Sequence, residues 1–182
     1  MKEKVRTSYR LEMHTSSDLR PKLKVVPGFR IEKMEIPCPE LNKFFHTVVG
    51  YEYLWGGRTE WGRKEWYDYV NRDQLETWIA SMSGTPAGYF ELEAHPDGDV
   101  QIECIGLLPQ FVGRGLGGIL LTRAVERSWE LSDSIVFLNT CSHDHPHALP
   151  NYLARGFQIA NKRTGPLNRP IKSFWEIVES SR

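Results

Sequence analysis

A glycine-rich segment past the middle of the chain is the part of the sequence best suited to ligand chemistry. It consists of Val112, Gly113, Arg114, Gly115, Leu116, Gly117 and Gly118. Alternate glycines let the main chain turn sharply and approach a ligand closely, because no Cβ intervenes. The segment opens a predicted helix, whose first N–H groups are unpaired and lie at the positive end of the helix dipole. These features predict a phosphate or pyrophosphate site, to which Arg114 would add a charge-assisted hydrogen bond.

Two common phosphate-binding motifs do not fit this segment. A Walker loop ends in Gly-Lys-Ser or Gly-Lys-Thr, and no lysine follows these glycines. A dinucleotide-binding fold would place the motif in an early parallel βαβ unit, whereas here it follows three strand-like segments. A tight turn that packs a helix against a sheet explains the glycines equally well. The segment alone therefore does not identify its ligand.

The surrounding sequence predicts a mixed sheet with helices on its faces. Three strands with turn residues between them indicate an antiparallel meander before the glycine segment. Apolar periodicity and Gly or Pro breaks give the remaining elements. In chain order we expect one or two strands within 8–36 (30–36 being the clearer), helices at 39–55 and 60–70, strands at 75–82, 87–94 and 100–108, a helix at 115–131, a strand at 135–140, an irregular helix at 146–155, and strands at 157–162 and 172–178.

Composition narrows the classes of function. The 182 residues suit one domain, and Lys+Arg and Asp+Glu balance at 23 each, so nothing indicates a nucleic-acid surface. No apolar run approaches the length of a membrane span, and the charged N-terminus lacks the apolar stretch of a secretory signal. Three scattered cysteines indicate free thiols. We expect a cytoplasmic protein without nucleic-acid or membrane partners, either a monomer or a homodimer.

Two motifs together resemble the GNAT N-acetyltransferases. Leu107-x-Pro109-x-x-Val112-Gly113-Arg114-Gly115-Leu116-Gly117 is similar to the acetyl-CoA signature of that family. Ala148, Tyr152 and Gly156-Phe157 match a later family helix in spacing, with one apolar strand between the two motifs. The resemblance covers about residues 75 to 160. Three positions depart from the family pattern: Val112 stands where Arg or Gln is usual, His145 where a cofactor-contacting Asn is frequent, and Pro150 lies inside the helical motif.

The resemblance implies an α/β (α+β) fold of the acyl-CoA N-acyltransferase type. Its sheet would be mixed and largely antiparallel, with six to seven strands, splayed central strands and helices on both faces. A single domain would span 1–182. It would contain N-terminal strands at 1–35, acceptor-side helices at 36–74, an acetyl-CoA-binding core at 75–160, and C-terminal strands at 161–182.

The resemblance also implies a reaction and the residues that carry it. An acetyl group would pass from acetyl-CoA to a primary amine of a small molecule or peptide by direct attack in a ternary complex. Tyr152 would protonate the leaving thiolate, and Glu103 would accept the amine proton through water. Ring packing for Tyr152 and a solvated or ion-paired position for Glu103 remain alternatives. The residues expected to bind acetyl-CoA are Leu107, Leu108, Val112, Gly113, Arg114, Gly115, Leu116, Gly117, Gly118, Asn139 and His145.

Alternation along the strand at 100–108 places Glu103 on one face with Gln101 and Ile105, opposite Ile102 and Cys104.

The resemblance implies that the first two helices and their connection wall the acceptor site, and several rings and carboxylates there suit a cationic amine. Ordinary packing of the helices explains each ring separately. These side chains are Tyr51, Tyr53, Trp55, Trp61, Trp66, Tyr67 and Tyr69, with Glu52, Glu60, Glu65 and Asp68 among them.

Three further interpretations bear on the site. The run His143-Asp144-His145-Pro146-His147 lacks partners at structural-metal spacing, so we expect no metal. No cysteine lies at an obvious acyl-carrier position, which disfavours a covalent intermediate. The alternatives to an enzyme are a non-catalytic acyl-CoA-binding or sensing module, and a regulator that binds a nucleotide.

Overall fold

A computed structural model of the protein describes residues 5–53 and 55–167. These residues form seven strands and four α-helices. The strands are β1 (Val5–Met13), β2 (Phe29–Lys33), β3 (Leu75–Met82), β4 (Thr85–Ala94), β5 (Val100–Leu107), β6 (Val136–Cys141) and β7 (Gln158–Pro166). The helices are α1 (Pro39–Gly50), α2 (Arg63–Val70), α3 (Gly117–Leu131) and α4 (Ala148–Ala154).

All seven strands form one sheet in the order β2-β3-β4-β5-β6-β1-β7. The pairs are antiparallel except β5 with β6, which run parallel. Strand β1 therefore leaves the other N-terminal strand and lies between β6 and β7, with Arg10 opposite Asn139 on one side and Asn161 on the other. The predicted mixed, largely antiparallel fold is confirmed. The strand expected at 172–178 lies outside the described residues.

Helices pack on both faces of the sheet. On one face, Phe90 and Leu92 of β4 join Leu121 and Val125 of α3 in the larger apolar core. On the other, Tyr89 packs with Phe45 of α1, and their rings stack 5.0 Å apart. The alternation of side chains along β4 thus divides the core into an α3 face and an α1 face. Within the described ranges, no helix combines the length and apolar character that a bilayer crossing demands.

A β-bulge interrupts β5 at Glu103. Cys104 lies opposite Glu91 and Ile102 opposite Leu92, so Glu103 is an extra residue between two consecutive pairs. Bulges bend a strand and re-aim its side chains. The expected alternation around Glu103 was therefore wrong. Ile102 and Ile105 both pack towards α3, whereas Cys104 joins the core on the α1 face.

The bulge coincides with the point where β5 and β6 part. The two strands pair at only three positions, the last being Ile102 with Leu138. Beyond it β5 continues to Leu107 and β6 to Cys141 without pairing to each other. The central strands are therefore splayed, as the sequence resemblance implied.

Several element boundaries differ from the sequence expectation for local reasons. Helix α3 begins at Gly117, not at 115, because Gly113 and Gly115 have φ angles of 80° and 76° that no right-handed helix includes. Helix α1 ends at Gly50, where an added Cβ would lie 2.4 Å from Trp55. Pro150 lies in the first turn of α4, where its missing N–H costs no intrahelical hydrogen bond.

One fully buried carboxylate connects α1, α2 and the sheet. Glu91 accepts hydrogen bonds from Asn42 Nδ2 at 2.7 Å, Tyr69 Oη at 2.7 Å and Arg58 Nη1 at 2.8 Å. The Arg58 guanidinium also contacts the face of the Tyr69 ring at 4.1 Å. A buried charge is tolerated only when it is paired and hydrogen-bonded, and Glu91 meets both conditions.

Removing that carboxylate should destabilise the protein strongly. Glu91→Ala leaves Tyr69 without an acceptor, leaves Asn42 with Thr77 Oγ1 alone and deprives buried Arg58 of one partner, at an expected cost of about 3 kcal/mol or more. Urea unfolding measures the change. Glu91→Gln, which keeps an acceptor, should lose less, and Asp68→Ala in the exposed Lys64–Asp68 pair should leave the midpoint unchanged. Equal midpoints for Glu91→Ala and Asp68→Ala would contradict the role of Glu91.

Candidate active site

The glycine segment forms a turn that a residue with a Cβ would strain. Gly113 and Gly115 both have positive φ, and a Cβ at Gly113 would point into open space. The turn delivers the chain to the start of α3, where the N–H groups of Gly117 and Gly118 lie in the unpaired first turn. Main-chain donors, open space and the helix dipole thus occur together, as the sequence predicted.

The connection from β1 to β2 lies over this turn and brings a lysine to it. The N–H of Lys22 donates to Thr122 Oγ1 at 2.9 Å, and the N–H of Arg20 donates to the Arg155 carbonyl at 3.0 Å. The Lys22 ammonium lies 3.6 Å from the Cβ that Gly115 would carry. Sequence reasoning missed Lys22, because residues 14–28 contain no motif that relates them to the glycines.

Arg155 adds a second cation beside the turn. Its Nη1 lies 2.9 Å from the Cβ position of Gly118, and its buried Nε has no hydrogen-bond partner within the described part of the chain. The charges of Lys22 and Arg155 beside the turn favour an anion there. These residues therefore fit a pyrophosphate-containing ligand.

A cavity of about 420 Å³ extends from the glycine turn along the open edge of β5. We call it the glycine-loop cavity. The predicted cofactor-binding residues that line it are Leu107, Val112, Gly113, Gly115, Gly117, Gly118 and His145. Leu108 and Leu116 are buried in the α1-face core, and the Arg114 guanidinium lies 5.4 Å from the Phe111 ring. Asn139 lines a different cavity.

The edge of β5 along this cavity carries free main-chain groups. The N–H of Leu108 donates to the Ala87 carbonyl of β4 at 2.9 Å. Because successive residues of an antiparallel pair direct these groups to opposite sides, Leu107 and Ile105 direct theirs towards the splay. Within residues 5–53 and 55–167 no strand pairs with them there, so the edge is able to pair with an extended ligand.

A second cavity of about 530 Å³ is lined by residues of α1, β1, β5, β6 and β7. We call it the arginine cavity, because Arg6, Arg10, Arg58 and Arg163 line it. It shares five lining residues with the glycine-loop cavity, so the two cavities meet at the splay. The shared residues are Tyr53, Trp55, Ile105, Asp144 and Tyr152.

Comparison with known proteins identifies the family. A profile of the acetyltransferase (GNAT) family matches residues 41–157, which is more than half of the chain. The chain belongs to the GNAT acetyltransferase family. A comparison with curated protein sequences gave no match.

Solved structures show the same fold at low sequence identity. A GCN5-related N-acetyltransferase from Kribbella flavida is 15% identical, with a TM-score of 0.63 over 90% of this chain and 59% of its own. One from Sphaerobacter thermophilus is 14% identical, with a TM-score of 0.66 over 93% of this chain and 54% of its own. The chain thus spans little more than half of either. An aminoglycoside acetyltransferase from an uncultured soil metagenomic sample is 14% identical, with a TM-score of 0.56 over 82% of this chain and all of its own.

Tyr152, at the position where GNAT enzymes carry a general acid, lies at the junction of the two cavities. The residue is only 7% exposed, and its hydroxyl forms no hydrogen bond within residues 5–53 and 55–167. Burial, with a smaller contribution from the nearby Asp144 carboxylate, raises the pKa of the Tyr152 phenol. The phenol is thus protonated and free to donate.

Glu103, the expected base, lines the arginine cavity but is not free. Its carboxylate accepts hydrogen bonds from Arg58 Nη2 and Gln101 Nε2, so the ion-paired alternative describes its position here. Burial raises the pKa of the Glu103 carboxyl, and the Arg58 guanidinium opposes that rise. Sequence reasoning missed Arg58, whose link to Glu103 depends on the bulge.

Asp144 is a further carboxylate at the junction that the sequence did not single out. Its Oδ2 accepts from Thr140 Oγ1 at 2.6 Å, and its Oδ1 accepts from the N–H of His145 at 3.2 Å. It forms no ion pair in the part of the chain that the structure describes. Two cysteines also line the arginine cavity, Cys104 and Cys141, which their sequence positions did not reveal.

Three of the seven aromatic residues at 51–69 pack against one another at α2. Trp61, Trp66 and Tyr69 pack edge to face with centroids 5.3–6.0 Å apart, and Tyr67 is exposed. Tyr53 and Trp55 alone among the seven rings line both cavities. In the described ranges no group of His, Cys, Asp or Glu side chains is arranged as a metal site, and the three cysteines are free thiols.

The glycine turn gives a direct test of CoA binding. Gly115→Val places a β-branched side chain at a φ of 76°, so CoA affinity should fall more than about tenfold. Gly113→Val should act in the same direction. Val112→Ala should change affinity by less than about threefold, since the main chain carries the contacts. Calorimetric titration with CoA measures all three, and equal affinities would contradict this interpretation of the turn.

Lys22 gives a second test with a matched control. Lys22→Ala removes the ammonium beside Gly115 and should weaken CoA about tenfold at low ionic strength. Lys24→Ala removes the same charge from an exposed position of the same connection and should have little effect. Equal losses for the two variants would show that only the general positive charge of the connection matters.

Proposed function

We propose that the protein is an N-acetyltransferase that transfers an acetyl group from acetyl-CoA directly to a primary amine in a ternary complex. The observation that carries this proposal is the meeting of two chemically different cavities at a free, buried tyrosine hydroxyl. The glycine-loop cavity suits a pyrophosphate and an extended amide chain, and the arginine cavity opens separately for the acceptor.

The glycine-loop cavity would hold the cosubstrate with main-chain and cationic groups. The N–H groups around Gly117, with Lys22 beside Gly115 and Arg155 beside Gly118, would hold the pyrophosphate. The free groups of Ile105 and Leu107 would pair with the pantetheine amides like an added strand. A main-chain N–H near Leu107 would polarise the thioester carbonyl.

When bound, acetyl-CoA supplies a thioester whose carbonyl carbon the amine nitrogen attacks. The C–N bond forms, the C–S bond breaks, and the thiolate leaves with the electron pair. Tyr152 would give its phenolic proton to that thiolate. A phenol titrates near ~10 and a thiol near ~8.5, so this transfer is modestly unfavourable in water. Burial raises the pKa of Tyr152 and makes the transfer less favourable still, so it needs a held geometry.

The amine must lose a proton before or during attack, because an alkylammonium titrates near ~10.4. Glu103 and Asp144 are the carboxylates that line the arginine cavity. Glu103 would act through water while Arg58 holds it in place. Asp144, which carries no ion pair in the described ranges and lies at the junction, is closer to the route of the amine.

The protonation and the positions of the cysteines agree with direct transfer. Burial raises the pKa of the Cys104 thiol well above its ordinary value, so the nucleophilic thiolate is scarce there. Cys141 lies at the end of β6, and neither cysteine lines the described wall of the glycine-loop cavity. A ternary complex therefore requires no covalent carrier.

Tyr152→Phe tests the proposal. It keeps the ring and removes the acid, so kcat for thiol release from acetyl-CoA with a panel of amines should fall about a hundredfold. The Kd for CoA should stay unchanged. Tyr67→Phe, at an exposed position outside both cavities, serves as the control. Initial rates measured with both substrates varied should give intersecting lines in double-reciprocal plots. Parallel lines in those plots would indicate a covalent intermediate.

Other outcomes would favour other functions. CoA binding without turnover on a broad amine panel would favour the acyl-CoA sensor. Thermal protection by ATP or NAD would favour a nucleotide-binding regulator, whereas protection by CoA alone would reject it.

A further inference from the structure

The arginine cavity carries an excess of positive charge in a chain whose formal charges balance. Among the described residues, four arginines and two carboxylates, Glu103 and Asp144, line it, whereas Lys+Arg and Asp+Glu are equal at 23 each over the sequence. His46, another lining residue, adds no charge near neutral pH, because burial and the neighbouring Arg58 lower its pKa to about 4. The cavity therefore has a polarity of its own.

Two of the four arginines are already engaged. Arg58 binds Glu91 and Glu103, and its side chain is only 10% exposed. Arg10 donates to Glu12 at 2.7 Å, and its guanidinium carbon lies 3.7 Å from the centre of the Phe137 ring. Both are held by the protein itself, so neither has to be neutralised by a ligand.

Arg6 and Arg163 differ from them. Both line the cavity, both are exposed, and neither side chain makes a hydrogen bond or ion pair with residues 5–53 or 55–167. They lie on adjacent strands: Arg6 of β1 is opposite Gly165 of β7, and Arg163 is opposite Ser8. Such diagonal neighbours on one sheet face are about 7 Å apart, so two long side chains are able to bind one anion.

The direction in which these arginines face is set by the sheet. Leu11 and Met13 of β1 point into the core on the α3 face. By alternation, Arg6, Ser8 and Arg10 point to the α1 face, on the same side as Arg163. That face forms one wall of the arginine cavity.

The opposite end of the cavity has the opposite charge. Asp144 lies at the junction with the glycine-loop cavity, where the amine must approach the thioester. Cys141, three residues before it, lies opposite Ser8 of β1, and Arg6 lies two residues further along that strand. Two residues of strand span about 7 Å, so the arginines are set back from the junction by the length of a small molecule.

We propose that the acceptor is an amine that also carries a carboxylate or phosphate group. This inference rests on the proposed N-acetyltransferase function. The amine lies at the junction beside Asp144 and Tyr152, and the anionic group binds the guanidinium groups of Arg6 and Arg163.

Guanidinium groups suit this task better than ammonium groups. Each presents parallel N–H donors that match the two oxygens of a carboxylate or phosphate, and each remains charged at all physiological pH values. The anion also decides orientation, because a molecule with opposite charges at its two ends enters the arginine cavity with only its amine towards the thioester.

Matched pairs of amines test the inference, each pair differing only in the anionic group. One pair is 4-aminobutanoate and 4-aminobutanamide, and another is O-phosphoethanolamine and ethanolamine. Calorimetry with CoA present measures their binding to the wild type, to an Arg6→Ala/Arg163→Ala double variant and to Arg30→Ala. Arg30 is exposed on β2, at the opposite edge of the sheet, and serves as the control.

The anionic member of at least one pair should bind the wild type about tenfold more tightly than its neutral counterpart. The double variant should lose that preference, and Arg30→Ala should keep it. A preference for carboxylate over phosphate, or the reverse, identifies which anion the acceptor carries. Equal binding within both pairs, or a preference that survives in the double variant, would overturn the inference.

Turnover with the same amines separates this inference from the proposed function. For an anionic amine that the wild type acetylates, the double variant should raise KM about tenfold with little change in kcat. Acetylation of the neutral member of the pair should be unaffected. An anion preference in binding without acetylation of any amine would reject the proposed function and leave the anion site standing. Acetylation of amines without any anion preference would reject the anion site and leave the proposed function standing.

Discussion

The parting of β5 and β6 after three paired residues is the constraint on which the site depends. Buried main-chain groups need hydrogen-bond partners, so two strands inside a sheet separate only where one of them bends away or where other partners replace the lost hydrogen bonds. The bulge at Glu103 supplies the bend, because the extra residue bends β5 where its ladder with β6 ends. The free groups of Ile105 and Leu107 need other partners, which an extended amide chain in the glycine-loop cavity would supply.

The same bulge joins the site to the core on the α1 face. It turns Glu103 towards Arg58, which also binds fully buried Glu91. Asn42 and Tyr69 also donate hydrogen bonds to Glu91, so α1, α2 and the central strands share one polar cluster. The position of the cavity-lining carboxylate is thereby linked to the packing of α1 and α2.

The sequence predicted those features that local chemistry determines. Gly113 and Gly115 predicted a turn, because positive φ angles favour glycine. Alternation and turn residues predicted the strands of the meander. Alternation failed at Glu103, since a bulge depends on the register with β4, which β5 does not encode alone. Lys22, Arg6 and Arg163 escaped notice for a related reason. Each belongs to a segment without a motif, and only the tertiary path of the chain brings it to a cavity.

The position of β1 explains how these residues reach both cavities. Because β1 lies between β6 and β7, its successive side chains point to opposite faces of the sheet. Leu11 and Met13 therefore pack in the core, while Arg6 and Arg10 line the arginine cavity. The connection that follows must then return across α3 to reach β2 at the far edge, and this path places Lys22 beside Gly115. In many GNAT relatives a side chain at the position of Val112 contacts the cofactor. Here a lysine from the N-terminal connection lies at the same turn, so β1 and the connection after it bring Arg6 to the arginine cavity and Lys22 to the glycine-loop cavity.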